Sequence, residues 1–212
     1  MRDIPVFTTQ LGVASLSLGQ IPYTAEAYIK IQDTQSPEAF LQECCDFCKA
    51  AGAKIIYACG HSFLKTYPLH TVIWRMSRSR GDLPETDACL FPVQEKTVEK
   101  WRNLYNERMR GIPNASYMTF FDAKQMLAKG NAYFVHRRDA LLGVGIATGN
   151  KIDALIATER GMGEDVLLAL CNALSEEIVE LEVASANERA VKLYHRLGFM
   201  KTAELSRWYK IF

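Results

Sequence analysis

What this sequence lacks narrows it before any motif is read. No apolar run among its 212 residues is long enough to cross a bilayer. The opening, MRDIPVFTTQLG, has none of the basic-then-apolar build of a secretory signal. Charge of one sign is missing too: 25 Lys and Arg stand against 24 Asp and Glu, a formal net charge of +1. That balance gives no electrostatic reason to expect nucleic acid or an anionic membrane as a partner. The six cysteines lack the spacing of a disulfide framework, so a reducing, cytoplasmic setting is expected. What remains, with 49% hydrophobic residues, is an ordinary soluble globular chain, long for one minimal domain and short for two full ones.

The patterning divides the chain in three: a smaller α/β unit at 1–78, a linker at 79–87 and a larger domain at 88–212. In the first part Val13 to Leu18 and Ala25 to Ile31 alternate as strands, joined by the turn at Gln20-Ile21-Pro22-Tyr23. Ser36-Pro37 opens a helix that runs to about Ala51, and Lys54 to Cys59 and Thr71 to Met76 are further strands. The polar run SRSRGDLPET, residues 77–86, has the composition of a solvated connector.

Cys45 and Cys48 form a C-x-x-C that Cys59 and His61 follow, and four such ligands can hold zinc. The same cysteines lie inside an apolar helical pattern, where free Cys is a small core residue. Core packing is the expected outcome and no metal is assigned, with metal analysis of the purified protein as the arbiter.

In the larger part Cys89 to Gln94 reads as a strand. Thr97 to Met109 follows as an amphipathic helix carrying Val98, Trp101, Leu104, Tyr105 and Met109 on one side. After a break at Gly111-Ile112-Pro113-Asn114, Asp122 to Lys129 is a second helix, ended by Gly130. Ala132 to Val135 and Leu141 to Ala147 form a hairpin across Arg137-Arg138-Asp139. Lys151 to Ala157, KIDALIA, is a buried strand that runs into Thr158-Glu159-Arg160-Gly161-Met162-Gly163. A helix then begins, with Val166, Leu167, Leu170, Ala173 and Leu174 as its apolar stripe.

Strand, Gly-x-Gly, helix aims backbone N–H groups and a helix dipole at an anion, and glycine lets that backbone come close. Ile178 to Ala184 alternates as a strand. From Asn187 the period changes, placing Ala190, Leu193, Tyr194 and Leu197 on one helical face before Gly198 and Phe199 end it. Glu204 to Ile211 is the last strand.

Leu181, Val183, Asn187, Ala190, Leu193, Tyr194, Gly198 and Phe199 together resemble the C-terminal signature of the GNAT superfamily of N-acetyltransferases. The Gly-x-Gly loop about twenty residues earlier resembles that family's pyrophosphate loop, Gln/Arg-x-x-Gly-x-Gly. The order of elements over residues 88–212 is also the family's. The resemblance implies an α+β fold, with a mixed sheet in α/β-type layers, preceded by a smaller α/β unit that echoes a degenerate half of the same fold. It implies acetyl-CoA as co-substrate without a metal, held in a wedge where the sheet splays. The residues implicated are Ile156, Ala157, Thr158, Arg160, Gly161, Met162, Gly163, Glu164, Asn187, Ala190 and Tyr194. Two departures stand out: Thr158 replaces the usual Gln or Arg, and Glu164 and Asp165 put carboxylates in the first helical turn.

The implied reaction is transfer of an acetyl group to an unidentified primary amine, on a small molecule or a peptide, by direct attack. The amine must first lose a proton. A strand N–H around Ile156 to Thr158 is the expected donor to the thioester oxygen, and Tyr194 the expected acid for the departing thiolate. Asp153, Glu159 and Glu182 are near enough in sequence to be weighed as bases, but none is singled out, and a water-mediated base is expected. Tyr105, Tyr117, Phe120 and Phe121 fall where the family shapes its acceptor pocket, and are equally ordinary core aromatics. Two alternatives stay open: Tyr194 as a packed core tyrosine, and the whole chain as a non-catalytic acyl-CoA binder or interaction module. A monomer or homodimer is expected.

Overall fold

The computed structural model describes residues 5–212, so the first four positions of the opening segment and of the 1–78 unit lie outside the described residues. Two compact units form, one running to Ile73 and including Glu204–Phe212, the other Trp74–Ala203.

In the first unit β1 (Val6–Thr9) and β2 (Gly12–Ser17) make a hairpin, and β2 pairs antiparallel with β3 (Glu26–Thr34). The short helix α1 (Ile21–Thr24) occupies the expected turn and closes on Ala25, which takes φ 58°. Helix α2 (Pro37–Ala50) leads to β4 (Ile55–Cys59), which lies parallel to β3. Strand β11 (Met200–Lys210) joins β4 antiparallel through Tyr209 and Lys210, and Tyr209 and Ile211 pack in this unit's core. That pairing draws Glu204–Phe212 to the first unit, whereas the sequence division had grouped these residues with the larger domain.

Cys44, Cys45 and Cys48 point into the same core, and burial raises their thiols to about 12, 11 and 12. All six cysteines are free thiols. Among the described residues no three His, Cys, Asp or Glu side chains gather as a metal site, and His61 Nδ1 instead accepts from the Phe63 amide. The C-x-x-C is core packing.

The second unit begins inside β5 (Leu69–Ser79), which runs through Ser77 to Ser79, the first three residues of the polar run 77–86, before a short 3-10 turn at Arg80–Asp82. Its charged residues find partners: Arg75 lies 3.8 Å from Glu180, and Arg78 reaches Asp82 and the Gly198 carbonyl. The remaining strands are β6 (Cys89–Pro92), β7 (Ala132–Arg137), β8 (Ala140–Thr148), β9 (Lys151–Ala157) and β10 (Ile178–Ala184). They lie in the order β10-β9-β8-β7-β6, antiparallel except for β9 and β10.

One face carries α3 (Val98–Met109) and α4 (Phe120–Lys129) over Val144, Ile146, Ala154 and Ile156. Trp101 anchors α3 by donating from Nε1 to the Tyr133 carbonyl at 3.0 Å, and a capping box between Thr119 and Asp122 starts α4. The other face carries α5 (Gly163–Asn172) and α6 (Glu188–Arg196). Helix α5 sits close because β8 supplies glycines beneath it. A Cβ on Gly143 would lie 2.7 Å from Val166 Cγ2, and one on Gly145 would lie 2.4 Å from Leu170 Cδ1. No helix among the described residues is long and apolar enough to cross a membrane.

Candidate functional site

Strands β9 and β10 are parallel neighbours for only two residue pairs, Lys151 with Glu180 and Ile152 with Leu181. Beyond them the pairing stops. On its other edge β9 faces β8, with Ile152 opposite Ala147 and Ala154 opposite Ile146, so Asp153 is an extra residue without a counterpart. This is a β-bulge, which bends the strand that carries it and raises its twist. It sits at the residue where β9 parts from β10.

The phase of the ladder decides which amides face the gap. The Thr158 amide donates to the Leu142 carbonyl at 2.8 Å, so Ile156 and Ala154 pair toward β8. Leu155 and Ala157 therefore turn their amides to the β10 side, where β10 offers no in-register partner. Of the three positions expected to supply an oxyanion donor, Ala157 is the one whose N–H points into the opening. The Thr158 and Ile156 amides are spent on β8.

The loop that follows places its residues unequally. The Thr158 hydroxyl donates to the Leu141 and Leu142 carbonyls at 3.0 and 2.9 Å, so this side chain holds the loop to β8 rather than reaching outward. Gly161 takes φ 100°, a conformation that disfavours any side chain. Arg160 is exposed and has no ion-pair partner among the described residues. Met162 precedes the first turn of α5, and Gly163 faces α6, where an added Cβ would stand 3.2 Å from Leu193 Cδ2.

The two carboxylates of that turn are each held by an arginine from another element. Glu164 Oε2 lies 2.7 Å from Arg196 Nη2, and Asp165 pairs with Arg137, which also binds Asp87 at 2.6 Å. Arg196 and Arg137 were not among the expected site residues. They lie about thirty residues from their partners, and no spacing rule connects them.

On α6, Asn187 Oδ1 accepts from the Ala190 amide at 3.3 Å, a side-chain N-cap. Tyr194 faces the core: it is 7% exposed, its ring lies 6.0 Å from that of Phe199, and it belongs to the same buried cluster as Cys171 and Leu170 of α5. Burial, with a smaller contribution from Cys171, pushes its hydroxyl up to about 12. It is therefore protonated at any physiological pH.

Of the carboxylates weighed as bases, Glu182 Oε1 lies 2.7 Å from Lys151 Nζ and Asp153 Oδ1 lies 3.9 Å from it. Both stand at the vertex of the opening. Glu159 is exposed in the loop. Tyr105 is buried, whereas Phe120 and Phe121 are largely exposed at the start of α4, with Lys124 and Arg102 beside the Phe120 ring.

The first unit supplies an internal contrast. Its own parallel pair, β3 with β4, stays in register for five residues, from Glu26–Ile55 to Lys30–Cys59. No Gly-x-Gly follows β3.

No protein-family model matches the chain, and no curated protein matches it. Solved structures do. One is described as a functionally unknown conserved protein from Staphylococcus epidermidis. It aligns at 12% identity over 98% of this chain and 93% of its own, with a TM-score of 0.62. A GCN5-related N-acetyltransferase from Sphaerobacter thermophilus aligns at 12% identity over 94% and 76%, with a TM-score of 0.58. A tandem GNAT protein from the clavulanic acid biosynthesis pathway aligns at 13% identity over 94% and 78%, with a TM-score of 0.54. The fold of this chain is that of the GNAT N-acetyltransferases.

Proposed function

We propose that this protein is an acetyl-CoA-dependent N-acetyltransferase that acylates a primary amine. The observation that carries the reading is the parting of β9 and β10 at the Asp153 bulge, one strand-length before the Gly-x-Gly loop and α5. An unpaired Ala157 amide beside a gap, followed by a helix N-terminus, fits a ligand with an extended polar arm and a diphosphate.

Acetyl-CoA would supply the acyl group as a thioester. The Ala157 N–H donates to the oxygen on which charge develops, and the N-terminus of α5 with Arg160 receives the diphosphate. Asn187 has its Oδ1 committed to the Ala190 amide, which leaves its Nδ2 as the donor toward the pantetheine arm. Tyr194 holds a proton for the leaving thiolate. The acceptor amine loses its proton through water. A cytoplasmic setting belongs to this reading, in keeping with five buried free thiols.

Calorimetric titration with acetyl-CoA tests the binding half, and thiol release in the presence of an amine panel tests the transfer half. Saturable binding with thiol release supports the proposal; no heat of binding at millimolar acetyl-CoA overturns it. One observation favours a second reading, an acyl-CoA binder without turnover. The Tyr194 side chain is buried, 7% exposed, with its ring beside that of Phe199 in the core. Binding without thiol release for any amine would select that reading.

A further inference from the structure

Two carboxylates in the first turn of α5 stabilise the helix dipole but oppose a diphosphate arriving at the same N–H groups. Each is neutralised by an arginine that the chain brings from elsewhere, and the two arrangements differ. Arg137 is shared between Asp165 and Asp87, two carboxylates on one cation. Arg196, in the last turn of α6, pairs among the described residues with Glu164 alone, at 2.7 Å. Glu164 is the residue next to Gly163, whose backbone packs within reach of Leu193 on the same α6. The loop and α6 are thus joined at adjacent residues, by packing and by charge.

Resting on the proposed acetyl-CoA site, we infer that Arg196 is a positioning residue for the cofactor. It acts through Glu164, holding that carboxylate compensated and away from the diphosphate. It needs no contact with the cofactor itself. A competing explanation lies in its own helix, because a cation in the last turn of α6 is favoured by the helix dipole whatever Glu164 does. The two explanations separate in a double-mutant cycle.

The experiment measures CoA affinity by calorimetry for the unsubstituted protein, Arg196→Ala, Glu164→Gln and the double variant, with urea unfolding of each. Arg196→Ala is expected to weaken CoA binding about five- to tenfold, as one uncompensated charge near a diphosphate does at partly exposed sites. That loss should shrink in high salt. Glu164→Gln is expected to bind at least as tightly as the unsubstituted protein. The double variant is expected within about twofold of it, since no carboxylate remains to compensate. A double variant as weak as Arg196→Ala overturns the inference and makes the arginine a direct contact or a structural cap. An Arg196→Ala variant of unchanged affinity overturns it as well. If the unsubstituted protein binds no CoA, the proposed function falls first and this inference with it.

Discussion

Leu181 and Ile152 are the last residues at which β10 and β9 face each other, and Asp153 comes immediately after. The adjacency is causal if the bulge opens the gap. Deleting Asp153 leaves Ile152 and Ala154 opposite Ala147 and Ile146 in unbroken alternation, which removes the bend. The deletion variant should keep its far-ultraviolet circular dichroism while CoA affinity drops about tenfold or more, roughly 1.4 kcal/mol or greater. Retained affinity in a folded deletion variant would mean that something other than the bulge parts the strands.

The hydroxyl of Tyr194 is testable apart from its ring. Tyr194→Phe keeps the packing against Phe199 and removes only the proton donor. Turnover is expected to fall about a hundredfold, in the range that general acid catalysis contributes, while CoA affinity stays the same. Equal rates for the two proteins across pH 6 to 9 would return Tyr194 to the core as packing alone.

Most elements could be read from the sequence, and the reasons the others could not are particular. Helix α6 announced itself through an N-cap at Asn187, an apolar stripe and a left-handed Gly198, which takes φ 79°. The end of strand β5 did not, because Ser77 to Ser79 have the composition of a linker. Their partners lie far away in sequence: the Ser79 hydroxyl donates to Glu177 at 2.8 Å, and Arg78 donates to the Gly198 carbonyl. The run KIDALIA looked like an uninterrupted strand, since a bulge is a relation between two strands and leaves no mark on one. For the site, the loop and α6 were legible as elements, and the resemblance placed Thr158 among the cofactor residues although it replaces the usual Gln or Arg. Its hydroxyl turned back onto the carbonyls of β8.

Alkaline pH should destabilise the fold earlier than for a protein without buried thiols. Burial raises Cys44, Cys48, Cys59 and Cys171 from 9.0 to about 12 and Tyr194 from 10.0 to about 12. The folded chain then keeps protons that the unfolded chain releases, so stability is complete below pH 9 and is lost as pH rises toward 12. Tyr194 alone would account for about 2–3 kcal/mol by the end of that window. Urea midpoints should hold between pH 7 and 8.5 and fall steadily from 9 to 10.5. A flat profile to pH 10.5 contradicts the burial of these groups.

Gly163 joins the loop to α6 through a contact that leaves little room. An added Cβ would lie 3.2 Å from Leu193 Cδ2, a distance that a shift of a few tenths of an ångström relieves. Gly163→Ala should therefore fold normally, with a stability change within about 1 kcal/mol, because alanine also favours the helix that starts here. Gly163→Val adds two methyl groups to the same gap and a branched side chain to the first turn. It should lower stability by about 1–3 kcal/mol and weaken CoA binding at least tenfold. Calorimetry and urea unfolding on both variants give the comparison. A valine variant that binds CoA as well as the alanine variant would place the cofactor away from this loop, and the gap between β9 and β10 would then need another ligand.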